Sequence, residues 1–314
     1  MRELVRDLAL ALRERVLPLL GSHAGRAHAD ALGAGGDVTF RIDEEAEAML
    51  EPWLAARAPD VCFYSEDRGL VGDGDWVLVV DPIDGTRPAM AGLESCCVSI
   101  AVAPHREGVT MGEVTVGCVV EIPAGTVFLA ERGHGVVEGP EVRLSANDRL
   151  DRMFWTYGFR GRPARATVEV IGDLLDASSV GGGTFELGSA AFDMTRVVTG
   201  QCDVYVEPGP LIVADVPGMD EEFRRIGNGE LLNNSPYDLA AAVLILEEAG
   251  AIVTDARGGS LADRPLLGSG GEYQMSVVAS ANRALHEQVL ASIDAGIRRL
   301  RARTADRGPR DRGL

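Results

Sequence analysis

In the stretch Trp76-Val77-Leu78-Val79-Val80-Asp81-Pro82-Ile83-Asp84-Gly85-Thr86, an apolar run of strand length stops at a carboxylate, a proline, a second carboxylate and a glycine. A fully apolar run of this kind suits a strand covered on both faces. Asp81 is expected where the strand leaves the sheet, with Asp84 following across a tight turn. Two carboxylates this close repel each other, and burying them unpaired costs several kcal/mol each. No lysine or arginine precedes Arg87 in the stretch, so a divalent cation is the natural partner. Ligands that are all oxygen favour Mg²⁺, Mn²⁺ or Ca²⁺ over Zn²⁺.

Outward from this stretch, further acids fall at element ends. Val61-Cys62-Phe63-Tyr64 reads as a strand that ends at Ser65-Glu66-Asp67-Arg68-Gly69. On the other side, residues 96–103, 113–122 and 126–131 are strand-like with turn signals between them, which predicts antiparallel sheet. Toward the N-terminus, Leu4, Val5, Leu8, Leu12, Val16 and Leu19 share one helical face that ends at Gly21. A small-residue linker is expected through Gly36. A short extended piece then runs into a second helix near Asp43, at a position where acids cap.

The second half alternates helix and strand. Residues 164–176 read as helix, 178–180 as strand and Gly181-Gly182-Gly183 as loop. Gly188-Ser189-Ala190-Ala191-Phe192-Asp193-Met194 opens a helix that runs to about Gly200, and its small residues would let an anion approach backbone N–H groups. Asp203-Val204-Tyr205-Val206-Glu207 is a strand ending in a carboxylate. Residues 208–235, with three prolines, Arg224-Arg225 and Asn233-Asn234, read as a long excursion or lid. A helix over 236–250 with Asp238 in its first turn follows, then strands at 252–254 and 274–279 and a last helix from Asn282. The tail from Arg298 carries seven arginines and is expected to be disordered.

Composition bounds the class. The 314 residues suffice for one large domain or two intimately packed ones, with the hydrophobic (46%) and charged (25%) content of an ordinary globular protein. A net charge of −18 argues against nucleic acid or anionic membrane as partner. It leaves room for a small anion where a metal reverses the local sign. All 30 basic residues are arginine, so lysine Schiff-base chemistry and a P-loop lysine are excluded. The five cysteines, Cys62, Cys96, Cys97, Cys118 and Cys202, include no Cys-x-x-Cys pair and read as buried free thiols in a reducing compartment. The acidic start Met1-Arg2-Glu3-Leu4-Val5-Arg6-Asp7 is unlike a signal peptide, and no apolar run approaches the roughly 20 residues of a membrane span. A cytoplasmic location is the expectation.

Taken in order, Ser-Glu-Asp at 65–67, Asp-Pro-Ile-Asp-Gly-Thr at 81–86, Gly-Ser-Ala-Ala at 188–191 and Tyr-Asp-Leu-Ala-Ala at 237–241 resemble the inositol monophosphatase family. The resemblance covers roughly residues 1–207 and 236–297. It implies a layered α/β/α/β/α sandwich, with an N-terminal α+β half (1–150) carrying the metal site and a C-terminal α/β half (151–297). It implies a homodimer and a phosphatase that uses two or three Mg²⁺ ions (Mn²⁺ as the substitute) and is inhibited by Li⁺. Glu66 and Asp81 would then hold the first metal with the Ile83 carbonyl. Asp84 would bridge to a second metal shared with Asp81 and Asp238. Asp43 would act through water and, with Thr86, orient the attacking water. Gly85 and Thr86 would donate to the phosphate, and Ser189, Ala190 and Glu207 would meet substrate hydroxyls.

The departures bear on substrate. Arg87-Pro88-Ala89 follows Asp-Gly-Thr where the family commonly has Thr-Asn-Phe. Phe185 takes the place of a usual arginine, Tyr237 that of a usual tryptophan, and the insert separates Glu207 from Asp238. Arg87, Arg224 and Arg225 are therefore candidates for binding a second anionic group. An inositol phosphate or another sugar or metabolite phosphate is the expected substrate. A bisphosphorylated sugar or nucleotide, histidinol phosphate, a specialised-metabolite phosphate, and a catalytically silent metal- or phosphate-binding protein are the alternatives.

Overall fold

The computed structural model describes residues 1–22, 28–32 and 38–306. Helix α1 (Arg2–Val16) is followed by strands β1 (His28–Leu32) and β2 (Val38–Phe40), which pair antiparallel where a plain linker was expected. The rest of that linker lies outside the described residues. Next come α2 (Arg41–Arg57), β3 (Val61–Ser65), β4 (Gly69–Val71), β5 (Trp76–Asp84) and α3 (Thr86–Ala91). Strands β6 (Cys97–Pro104), β7 (Val116–Glu121), β8 (Val127–Glu131) and β9 (Gly135–Glu138) complete a seven-stranded sheet in the order β4-β3-β5-β6-β7-β8-β9. Only the β3–β5 pairing is parallel.

A second sheet is built from β10 (Phe154–Tyr157), β11 (Gly183–Phe185), β12 (Val204–Glu207), β13 (Ile252–Thr254) and β14 (Val277–Ser280), in the order β11-β10-β12-β14-β13. Its connections carry α4 (Ala164–Ser178), α5 (Ala190–Val198), α6 (Gly209–Asp215), α7 (Met219–Ile226) and α8 (Pro236–Glu248), and α9 (Arg283–Asp306) follows β14.

Three apolar clusters stack these elements. Val5, Leu8, Leu12 and Val16 of α1, with Ile42, Leu50 and Leu54 of α2, cover Leu78, Val80, Val98, Ile100 and Cys118 on one face of the large sheet. The other face meets α5 and α8, which also touch the second sheet through Tyr205, Val277 and Ala279. Beyond that sheet, Trp155, Val204, Val206 and Val278 pack on α4, α6, α7 and α9. The order is helix, sheet, helix, sheet, helix, the expected α/β/α/β/α sandwich. Helix α8 explains why it holds together: residues 239–246 are buried without a break, because the helix is packed on both sides. Each such Leu, Ile or Val contributes roughly 1.5–3 kcal/mol by leaving water.

The structure corrects four local expectations. Strand β5 does not leave the sheet at Asp81. Its register with β6 runs from Val77↔Ala103 to Asp81↔Ser99, shifts, and resumes at Asp84↔Cys97. A regular strand would send residues three apart to opposite faces, and the bulge resets that alternation. Residues 178–180 are not strand: α4 continues to Ser178, whose hydroxyl receives the Trp155 indole N–H at 2.9 Å, and the strand is β11 in the supposed glycine loop. The 208–235 insert is not a loose lid but α6 and α7, anchored by a fully buried Phe223 with Val216 and Leu231. The tail from Arg298 is helical through Asp306. Leu300 is buried, and Arg299 and Arg303 pair with Asp173 and Glu169 of α4. Residues 307–314 lie outside the described residues. All five cysteines are buried and free, and no helix among the described residues is long and apolar enough to cross a membrane.

Candidate metal centre

The end of β5 and the start of α8 meet at a cleft. Asp81, Asp84 and Asp238 each offer it an oxygen, and these oxygens lie within 4.8 Å of one another. Local structure fixes each acid. The Ile83 N–H donates to Asp81 Oδ1 at 2.9 Å, across the bulge. Asp84 sits at the N-terminus of α5, where the Ser189 hydroxyl (2.8 Å) and the Ala190 and Ala191 N–H groups (3.2 and 2.6 Å) all donate to it. Asp238 is the third residue of α8 and accepts the Ser235 N–H at 2.6 Å, so it closes a capping box as well as facing the cleft.

Gly85 makes the crowding possible. Its φ is +91°, and a Cβ there would stand 2.6 Å from the Ser95 carbonyl and 2.9 Å from Ser189 Cβ. No side chain fits between strand and helix.

Burial pushes the Asp81 carboxyl well above the usual range, and the neighbouring Glu66, Asp84 and Asp238 push it further. Burial raises Asp84 to about 6, restrained by the three donors of α5. Asp238, buried and beside Asp84 with fewer donors, is raised to about 8. Acids crowded this way are satisfied by a cation among them, and an all-oxygen donor set fits Mg²⁺ or Mn²⁺. Glu66 and the Ile83 and Thr86 residues line the same cleft, with Glu66 outside the tight cluster of three.

Asp43 and Thr86 stand together beside the cluster. The Thr86 hydroxyl is 3.2 Å from Asp43 Oδ1 and 3.1 Å from the Ile83 carbonyl, while Asp43 Oδ2 accepts the Phe40 N–H at 3.0 Å. Under the loop that carries Glu66 lies Glu47, a residue the sequence did not single out. It accepts the Ser65 hydroxyl at 2.9 Å, and burial raises its carboxyl to about 7.

The remaining expectations fare differently. Ser189 and Ala190 line the cleft but direct their donors at Asp84. Glu207 does not line the cleft. It is fully buried, one oxygen accepting the Gly209 N–H at 2.7 Å and the other ion-paired to Arg162. Arg87 lines the cleft with its guanidinium 5.5 Å from the Phe40 ring centroid, whereas Arg224 and Arg225 lie elsewhere, paired with Asp220 and Glu222 of their own helix. Sequence reading missed Arg160, Arg162, Glu186, Asp193 and the rings of Tyr157 and Phe159, all of which line the cleft. Asp193 Oδ1 is buried without a hydrogen-bond partner, and burial raises its carboxyl well above the usual range. The helix motif 188–194 was the available signal for Asp193, and the arginines had none, because β10 and the bend after it were not recognised.

A model of the inositol monophosphatase family matches residues 2–298. The fructose-1,6-bisphosphatase/inositol-1-monophosphatase of Methanothermobacter thermautotrophicus is 29% identical over 301 residues, covering 91% of this chain and 94% of its own. The inositol-1-monophosphatase of Caulobacter vibrioides is 27% identical over 265 residues, covering 82% and 88%. The solved structure of the Thermotoga maritima IMPase superposes with a TM-score of 0.69 at 22% identity, over 95% of this chain and 98% of that one. The extragenic suppressor protein SuhB of Bartonella henselae gives a TM-score of 0.71, also at 22% identity, over 94% and 98%. These two likenesses establish the fold.

Proposed function

The chain belongs to the inositol monophosphatase family of phosphoric monoester hydrolases, and on that premise we propose that it hydrolyses a small-molecule phosphate monoester with Mg²⁺. The observation that carries this reading is the triplet of buried Asp81 and Asp84 with half-buried Asp238, whose oxygens lie within 4.8 Å of one another. Asp81, Asp84 and Asp238, with Glu66 and the Ile83 carbonyl, are the groups that would hold two or three ions. When bound, such ions supply neutralisation of the charge on the phosphoryl oxygens.

The chain's own residues supply the rest. The Thr86 hydroxyl has one proton and two acceptors in reach, Asp43 Oδ1 and the Ile83 carbonyl. Were the Ile83 carbonyl to hold an ion, that proton would be left to Asp43. The pair is then a fixed acceptor that can orient a water for attack and receive its proton. Gly85 and Thr86, which line the cleft, offer backbone donors to the phosphate. A homodimer, a cytoplasmic location and inhibition by Li⁺ belong to the same reading.

The test is phosphate release from a panel of monoesters with Mg²⁺, with EDTA and with Li⁺. The panel holds inositol 1-phosphate, fructose 1,6-bisphosphate, phosphoadenosine phosphate, histidinol phosphate and an aryl phosphate. Mg²⁺-dependent release that EDTA abolishes is the expected result. Silence across the panel, with Mg²⁺-dependent binding of inorganic phosphate retained, would replace hydrolysis by binding.

A further inference from the structure

In the cleft, the wall beside the metal acids is rich in cationic donors. Arg160 and Arg162, on the bend after β10, both line it. Arg162 is 6% exposed, and its guanidinium is held by Glu207, by Asn234 Oδ1 at 3.3 Å and by the Arg160 carbonyl. Its Nε is buried and finds no acceptor. The carboxylate that could have received substrate hydroxyls, Glu207, is closed off by Arg162 and the Gly209 N–H.

The closure is built in from both sides. A Cβ at Gly158 would collide with Glu207 Oε2, and one at Gly209 would stand 2.7 Å from Glu207 Oε1. The insert supplies the last member. Asn234, at its end, accepts from Arg162 and donates to the Tyr205 hydroxyl at 2.7 Å. The one acid left on this wall with access to solvent is Glu186, raised by burial and offset by the charges of Arg162 and Arg160.

We propose that the substrate's leaving group carries a second oxyanion, a carboxylate or a second phosphate, received by Arg162 and Arg160. The placement suits it: a guanidinium fixed by a buried carboxylate presents its remaining N–H groups at no further cost in side-chain entropy. The rings of Tyr157 and Phe159, edge to face with centroids 5.8 Å apart, close the cleft beside them. Arg87, at the start of α3, adds a third positive charge to the same cleft. The insert therefore acts on substrate choice through Asn234, not as a cover.

This inference rests on the phosphatase reading, and the experiment separates the two. Pairs of esters alike except for the second charge are compared by kcat/KM with Mg²⁺: an alditol phosphate, the matching aldonate phosphate, and the matching bisphosphate. The doubly charged esters should be preferred by about tenfold or more, the weight of a hydrogen bond to a charged group. The aldonate and bisphosphate arms tell which oxyanion is favoured. Arg160→Ala should shrink the preference severalfold. Because Arg162→Ala would strand Glu207 and threaten the fold, the second variant is the double change Arg162→Met with Glu207→Gln, which removes both charges together. It too should lower the ratio. Equal rates for neutral and charged partners in the wild type, or a preference intact in both variants, would overturn the inference and leave the hydrolase standing. If even the aryl phosphate were inert, the hydrolase reading would fall. The same pairs, titrated calorimetrically with Mg²⁺ present, would still read the arginines by their ratio of Kd values, and equal Kd values would overturn the inference.

Discussion

The acid wall and the arginine wall of the cleft are made of different material. Asp81 and Asp84 stand on β5, buried from Val77 to its end, and Asp238 on a helix packed between two sheets. Arg160 and Arg162 stand on a bend between β10 and α4, completed by Asn234 from an insert. Moving any acid means moving the core. The arginines can be exchanged with the loops that carry them. The reaction is thus lodged where the fold is least adjustable and the choice of ester where it is most so.

The largest expected effect lies on the acid wall. Asp81→Asn should lower Mg²⁺-dependent phosphate release by at least about a thousandfold. Its circular dichroism should be that of the wild type. Near-normal turnover would remove the metal assignment. Next comes Phe223→Ala, which opens a cavity under α7 and should cost about 3–5 kcal/mol in urea unfolding. Kinetic constants measured below its transition should stay within a few-fold. A collapse of turnover in a folded variant would show that the insert does more than select, and would break the contrast. Thr86→Ala should lower kcat by about a hundredfold with KM little changed, and Thr86→Ser should restore most of it.

The smallest effect lies far from both walls. His286 bridges Ser280 of β14 and Thr254 of β13, each at 3.0 Å, and burial, helped by the charge of Arg283, holds its pKa below 6.5. The unfolded chain binds this proton more readily. The stability His286 contributes is therefore complete above about pH 6.5 and declines as pH falls through and below that value. Glu47, Asp84 and Asp238, whose carboxyls are raised, act with the opposite sign in the same window, so the effect is read as a difference: the gap in urea midpoint between wild type and His286→Gln should narrow as pH falls from 8 to 5.

The acid wall was legible because its chemistry is compressed into contiguous residues. Asp81, Asp84, Gly85 and Thr86 carry their constraint in one run, and Asp238 announces itself at a helix start. The arginine wall was not legible, since its meaning depends on Glu207 being closed off by a side chain from a strand and bend that went unrecognised. Phe154-Trp155-Thr156-Tyr157 is short, and its burial comes from neighbours distant in sequence. Prolines and acids made 208–235 look irregular, yet Pro210 lies in the first turn of α6 and Asp220, Glu221 and Glu222 in the first turn of α7, two short helices that Phe223, Val216 and Leu231 tie down. Arginine density made the tail look disordered, although its apolar spacing through Ile297 and Leu300 continues the helix on α4.

Helix α8 has a consequence for the energetics of the whole chain. It brings Asp238 from one half to meet Asp81 and Asp84 from the other, so an ion held there is a clasp between distant parts of the backbone. Ion concentration then becomes a folding variable, worth roughly 2.7 kcal/mol at a hundredfold excess over its dissociation constant. The three acids that repel without it are a load the fold carries for the sake of activity, and neutralising one should leave a sturdier and idle molecule.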